Sequence, residues 1–243
     1  MNETQNAIVN KSIMGGQSYN YVTCGDCFSL IKNIPDNSID VCFTSPPYNR
    51  IRNDTYEHFD DIIKDYFVFL KTITDEMLRV AKSRVIVNVQ SNHFNKWDIY
   101  KFIGEYANNI EGIVVWEKDN PQPATNYREK DHSWSVTNAY EFFIILSHNG
   151  KEFRAFRSHT KNVIHSNVNS THFKGHGAVM RKEIADWFIE RFTKENDIVL
   201  DPFFGTGTTA VSCIEQNRRY IGFELIDEYY KLALERIKET SKK

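Results

Sequence analysis

With 243 residues, 41% of them hydrophobic and 26% charged, the chain has the apolar content of one moderately large domain, or of one domain carrying an inserted lobe. Its formal net charge of −2 excludes a wholly basic nucleic-acid coat, though not a local patch. No apolar run approaches the roughly 20 residues that span a bilayer, and the polar first 16 residues lack the apolar stretch of a signal peptide, so a cytoplasmic home without a membrane is expected.

Residues 19–23 read as a short strand, followed by a turn at Cys24-Gly25-Asp26. Phe28, Leu30, Ile31 and Ile34 then give an amphipathic helix, ended by Pro35-Asp36-Asn37. Cys24 and Cys27 form a CxxC, but with no second pair this is a weak zinc signal, and no metal is expected. Together with Cys42 and Cys213 they read as free, buried or half-buried thiols. Residues 39–43 are a buried strand that runs into Thr44-Ser45-Pro46-Pro47-Tyr48-Asn49. Residues 50–60 are polar and irregular, a mobile loop over whatever binds there, and a long helix is expected from about 61 to 82.

Strands follow at 84–90 and 110–116, with a helix between them over 96–108. Residues 118–138, broken by Pro121 and Pro123, read as a loop; 140–147 is a strongly apolar strand. Residues 151–182 form a second irregular stretch, with seven basic side chains against one acid, Glu152. Such a run is a solvated face or a phosphate-contacting one, and Arg154, Arg157, Lys161 and Lys174 are its candidate contacts. A helix over 183–192, a strand over 198–200, a glycine-rich loop, a helix over 208–216, a strand over 219–223 and a last helix over 227–239 complete the chain. Strands alternating with helices predict an α/β fold with a mostly parallel sheet, in a single domain covering 1–243.

Two stretches carry chemistry. Neither Pro46 nor Pro47 has an N–H for a sheet ladder, and the residue before each proline is forced extended, so the backbone leaves the sheet stiff. The Ser45 hydroxyl, a carbonyl and the Tyr48 ring are then held together at a strand end, a grip suited to a flat ring bearing an amine. The same residues would also make a plain Pro-Pro turn. Far downstream lies Asp201-Pro202-Phe203-Phe204-Gly205-Thr206-Gly207-Thr208-Thr209-Ala210. Gly205 and Gly207 allow a tight turn and close approach to a ligand, and a helix N-terminus follows. Glu224 ends the next strand 17 residues beyond Gly207, where a carboxylate can accept both hydroxyls of a ribose. Strand, loop, helix, strand and acid in that order point to an adenosine-containing cofactor.

Taken together, Ser45-Pro46-Pro47-Tyr48 followed late in the chain by Asp201-Pro202-Phe203-Phe204-Gly205-Thr206-Gly207-Thr208 resembles the amino-methylating DNA methyltransferases of the permuted β arrangement. The resemblance implies a doubly wound, seven-stranded class I methyltransferase fold, Rossmann-like and circularly permuted, with S-adenosylmethionine as cofactor. It implies that Asp201 and the backbone from Phe203 through Phe204, Gly205, Thr206 and Gly207 to Thr208 line the methionine side. Glu224 would hold the ribose and Asp26 would lie near the adenine amine. Segments 118–138 and 150–178 would be the target-recognition parts on double-stranded DNA. A cognate restriction endonuclease fits as a partner, and the chain would act as a monomer or homodimer. His176 sits where the family often reads His-Pro, but Gly177 follows it here, and it reads as a capping or packing histidine.

An exocyclic amine conjugated to a base ring is a poor nucleophile. Hydrogen bonds to Ser45 Oγ and the Pro46 carbonyl would favour a pyramidal nitrogen, and alignment with the sulfonium methyl supplies much of the remainder. The base must leave the duplex, with Tyr48 as its stacking surface and Asn49 and Arg50 at its edge or at a phosphate. In the family, serine at the first motif position goes mostly with N4-cytosine, aspartate mostly with N6-adenine; N4-cytosine is therefore expected, with N6-adenine as the alternative. A nicotinamide oxidoreductase, a methyltransferase for RNA or protein amines, and a non-catalytic DNA-binding module are the competing classes.

Overall fold

The computed structural model describes residues 19–49, 62–121, 123–124, 127–150, 152–167 and 179–242. The strands are β1 (Tyr21–Cys24), β2 (Ile39–Thr44), β3 (Ala81–Val89), β4 (Ile110–Lys118), β5 (Tyr127–Arg128), β6 (Ser133–Trp134), β7 (Tyr140–Leu146), β8 (Val163–Ser166), β9 (Ile198–Asp201) and β10 (Arg219–Glu224). The helices are α1 (Cys27–Leu30), α2 (Tyr66–Val80), α3 (Lys96–Glu105), α4 (Lys182–Phe192), α5 (Thr208–Glu215) and α6 (Asp227–Thr240).

Among the described residues, eight strands form one sheet in the order β1-β10-β9-β2-β3-β7-β4-β8, with only β7 running antiparallel to its neighbours. Strand alternation sorts the apolar side chains onto two faces. Val85, Val87 and Val89 of β3 point to the face covered by α1, α2 and α3, whereas Ile86 points to the face covered by α4, α5 and α6. The α2 residues Tyr66, Leu70, Ile73, Met77 and Val80 recur at alternating steps of four and three and form its buried stripe. On the other face, Phe43, Phe143 and Phe188 pack ring on ring.

The position of the site follows from connectivity. From β9 the chain passes through α5 to β10 on one side, and from β2 through α2 to β3 on the other. The two helices lie on opposite faces, so the sheet opens a crevice at the carboxyl ends of β9 and β2, where α/β sheets bind ligands.

Four expectations need correction. Among the described residues the sheet has eight strands, not seven; the extra one, β8, is four residues long, and its Val163-Ile164-His165-Ser166 carries too little apolar pattern to stand out from the basic stretch around it. The loop expected over 118–138 contains the β5–β6 hairpin. The helix expected to run to residue 82 ends at Val80, because Ala81 already pairs with Ile39. The helix expected over 96–108 stops at Glu105. The mobile loop expected over 50–60, with Arg50, and the positions of Lys174 and His176 lie outside the described residues. All four cysteines are free thiols. Among the described residues no helix is long and apolar enough to cross a membrane, and no His, Cys, Asp and Glu group suits a metal.

Gly222 of β10 lies under the Phe204 ring, and a Cβ there would come within 2.3 Å of it. Gly222→Ala is therefore expected to lower the stability of the protein by about 1–3 kcal/mol, read as a lower urea midpoint at unchanged slope.

Candidate active site

Strands β2 and β9 are parallel neighbours, with Val41 beside Val199 and Cys42 beside Leu200. This register brings Phe43 level with Asp201, the last residue of β9, and leaves Thr44 one residue beyond it. The Thr44 hydroxyl donates to Asp201 Oδ1 at 2.7 Å, and the Thr209 hydroxyl and the Phe203 N–H donate to the same carboxylate at 2.6 and 3.1 Å. Ser45 and the glycine-rich loop therefore share one rim of the sheet, at adjoining strand ends.

The loop turns through left-handed backbone at Gly205 (φ 53°) and Gly207 (φ 81°), conformations that cost little only for glycine. Gly207 also packs closely on Ala233 of α6. The Gly205 N–H donates to Glu224 Oε2 at 2.6 Å and the Ile226 N–H to Oε1 at 2.9 Å, which leaves lone pairs on both oxygens for further donors. Burial pushes both acids up: Asp201 and Glu224 each to about 6, against the pull of their hydrogen bonds. Asp26 follows β1, whose Cys24 pairs with Glu224, and Asp26 caps α1 by accepting from the Phe28 and Ser29 N–H groups. It stands on the same rim as Glu224. Arg236 of α6 braces the loop from behind, donating to the Thr206 carbonyl at 2.5 Å and to the Thr206 and Thr208 hydroxyls. Phe203 is half-buried against Phe69. The Phe204 side chain belongs to the core, packed on Gly222 and Tyr220, so only its backbone is placed to serve the loop. Left-handed glycines, a buried carboxylate with spare acceptor capacity and a following helix N-terminus are the features an adenosine-containing ligand requires.

The Pro-Pro loop is fixed by its carbonyls. The Tyr66 hydroxyl donates to the Pro47 carbonyl at 2.8 Å, and Asn95 and Asn92 donate to the Tyr48 carbonyl at 2.6 and 3.2 Å. Among the described residues no hydrogen bond reaches the Pro46 carbonyl. Ser45 remains half-exposed, with its Oγ 3.0 Å from the Tyr48 hydroxyl. Tyr48 is buried, its hydroxyl turned inward to Glu141 at 2.8 Å and to Asn88 at 2.6 Å. With the side chain buried, little of its ring is exposed to a stacking partner. Asn49, expected at the DNA, is a structural pin. It is buried in left-handed backbone, and its amide bonds both the N–H and the carbonyl of Ile63.

The basic stretch divides. Phe153 packs against Gly112 near the start of β4, and the Phe156 N–H donates to the Arg191 carbonyl at the end of α4. Residues 153–157 therefore run along the amino ends of the strands, the rim opposite Ser45. There Arg154 pairs with Glu152 at 2.7 Å and Arg157 with Glu190 at 3.1 Å. Both were expected on DNA beside the site; the turn of the chain under the sheet removes them from it. Lys161 is exposed just before β8, also below the site. The β5–β6 hairpin, by contrast, lies between the carboxyl end of β4 and the amino end of β7, on the site's rim, where Asn138 donates to the Ser91 carbonyl.

Sequence reading missed Asn88, Glu141, Lys118, Asn95 and Arg236. A signal existed for two of them: Asn88 interrupts the apolar run Val85-Ile86-Val87-Asn88-Val89, and Glu141 opens an otherwise apolar strand.

The model of the DNA methylase family matches residues 39–235, which hold both loops and the crevice between them. The chain belongs to the DNA methylase family. A curated relative of this methylase, the type II beta methyltransferase M.BslI of Bacillus sp. (strain NEB-606), is 29% identical over 252 aligned positions, 87% of the present chain; the chain spans only 27% of that relative's length. The cytosine-N4-specific PvuII DNA methyltransferase has the same fold, with a TM-score of 0.73 over 93% of this chain and 92% of its own at 17% identity. M1.HpyAVI, solved as a complex with SAM, aligns with a TM-score of 0.61 over 89% of this chain and 98% of its own at 20% identity.

The methylase stores a measurable cost at Asp201. Its carboxyl titrates near 6 in the fold against an ordinary 3.8, so folding favours the protonated acid. Stability is therefore lost as pH rises from about 4 to 6 and stays lost above. In Asp201→Asn the amide oxygen still accepts from Thr44 and Phe203 while its nitrogen donates to Thr209. The variant is expected to gain up to about 3 kcal/mol at pH 8, with roughly half that gain left at pH 5. Urea titrations at the two pH values read this directly; a loss of stability that is equal at both would contradict it.

Proposed function

We propose that this methylase transfers a methyl group from S-adenosylmethionine to the exocyclic N4 amine of a cytosine flipped out of double-stranded DNA. The observation that carries the reading is the hydrogen bond from Thr44 to Asp201, which ties the Ser45 loop to the glycine loop at one crevice. The cofactor, when bound, supplies an electrophilic methyl group on a sulfonium centre. Glu224 takes the ribose hydroxyls on its spare lone pairs, and Asp26 on the same rim serves the adenine amine. Asp201, the backbone from Phe203 to Gly207 and Thr208 enclose the methionine end. Ser45 Oγ and the Pro46 carbonyl accept the two amine hydrogens, which turns the nitrogen lone pair toward the methyl. The prolines keep these acceptors from moving away, and the Tyr48 ring edge bounds the base. Residues 1–243 act as one catalytic unit, with the β5–β6 hairpin of the 118–138 segment toward the DNA.

Serine at the first motif position supports cytosine over adenine, as does the fold shared with a cytosine-N4-specific enzyme. Incubation with duplex DNA and labelled S-adenosylmethionine, followed by nucleoside mass analysis, is expected to yield N4-methylcytosine. N6-methyladenine would instead assign the enzyme to adenine. Preference for RNA or peptide amines in the same assay, or tighter binding of NAD, would overturn the reading. Ser45→Ala is expected to slow transfer by about 100-fold, the scale of losing one hydrogen bond aimed at the reacting group.

A further inference from the structure

Directly beneath Ser45 lies a buried polar cluster built on three neighbouring strands. Glu141 of β7 and Lys118 of β4 form an ion pair at 2.7 Å in which each side chain is only 7% exposed. The other carboxylate oxygen, Oε2, accepts from the Tyr48 hydroxyl at 2.8 Å and from Asn88 Nδ2 at 2.9 Å. Asn88 Nδ2 also lies 2.6 Å from the Tyr48 oxygen and 3.4 Å from Ser45 Oγ. The Asn88 carbonyl oxygen has no hydrogen-bond partner among the described residues. Facing a carboxylate, the amide must present its nitrogen, so its orientation is fixed by Glu141.

Donor counting settles the remaining ambiguity. A carboxylate paired with an ammonium group can only accept, so the single Tyr48 proton goes to Glu141. The two Asn88 hydrogens go to Glu141 and to the Tyr48 oxygen. Tyr48 has no second proton to offer Ser45, so at the 3.0 Å contact Ser45 is the donor. The Ser45 proton is thus directed inward, and its lone pairs face the crevice.

On the function proposed above, we infer that Glu141 is a positioning residue that makes Ser45 an obligate acceptor for the target amine. Three hydrogen bonds then point the same way: amine N–H to Ser45, Ser45 O–H to Tyr48, and Tyr48 O–H to Glu141. Bonds aligned in series polarise one another in a low-dielectric interior. A neutral hydroxyl at the first motif position is in this way backed by a carboxylate two bonds away. Lys118 holds that carboxylate in place and balances its charge.

The decisive variant is Tyr48→Phe, which keeps the ring and removes the hydroxyl that joins Ser45 to Glu141. At saturating DNA and S-adenosylmethionine, its single-turnover transfer rate is expected to fall about 10- to 100-fold, the worth of a charge-assisted hydrogen bond. Equilibrium binding of both ligands should stay within about twofold, a fraction of one hydrogen bond. Glu141→Gln should show a similar loss, and the double variant no more than the larger single loss, because the links act in series. If Glu141→Gln does not fold, with Lys118 left unpaired, Tyr48→Phe alone still decides. Undiminished transfer by Tyr48→Phe, or losses that multiply in the double variant, would overturn the inference while leaving the proposed function intact. Absence of transfer to DNA by the unmodified enzyme would instead overturn that function and the inference with it.

Discussion

The 2.7 Å hydrogen bond between Thr44 and Asp201 joins residues 157 positions apart in sequence, and the geometry of the crevice depends on it. It exists because β2 and β9 are adjacent and parallel, so their last residues emerge within one residue of the same level. Each strand then hands the chain to a different face of the sheet, and the divergence opens the space between the loops. The order of the two motifs along the chain has no bearing on this. What matters is that each ends a strand at the switch point. The late glycine loop and the early Pro-Pro loop are neighbours for that reason alone.

Holding the rim open has an energetic cost, visible in its acids. Asp201 and Glu224 are buried enough to titrate near 6, and both rely on local donors to remain tolerable. Thr44, Thr209 and the Phe203 N–H serve one; the Gly205 and Ile226 N–H groups serve the other. These donors also dictate backbone shape. Glu224 accepts the N–H of Gly205, which takes up left-handed backbone, and Arg236 secures the same turn through Thr206 and Thr208. Polar satisfaction and loop geometry are therefore one constraint, which links a carboxylate's chemistry to the conformation of a glycine.

The sequence made legible whatever depends on period or on backbone restriction. The apolar stripe of α2, the buried runs of β2, β3 and β7, and the two motif loops all carry local signals. Elements that owe their form to distant partners did not. β8 is a strand because β4 offers an edge, and Val163-Ile164-His165-Ser166 alone gives no reason for it. Asn49 resembled a ligand contact in sequence, yet its amide matches the backbone of Ile63 14 residues later. Lys118 and Glu141 lie 23 positions apart and meet only because β4 and β7 pair. Nor does a run of basic residues state which rim of a sheet it will reach; Arg154 and Arg157 were misplaced for that reason.

The placement of Arg154 and Arg157 bears on how DNA would be held. In the described part of the basic stretch, Arg154 and Arg157 are matched by Glu152 and Glu190, and both stand away from the crevice. On the site's rim Lys118 is spent on Glu141, and Arg128 of the hairpin is paired with Asp131. The rim as described thus offers little unopposed positive charge. What it does expose is aromatic: Tyr127 and Trp134, opposite one another on the hairpin with ring centroids 4.9 Å apart. Phosphate attraction weakens steeply with salt, whereas stacking and apolar contact do not. On the proposed function, contact made through this hairpin would depend on salt less than the sequence-wide count of lysine and arginine suggests. Steeper salt dependence would have to come from charges elsewhere, among which the sequence supplies Arg50, Arg52 and Lys174.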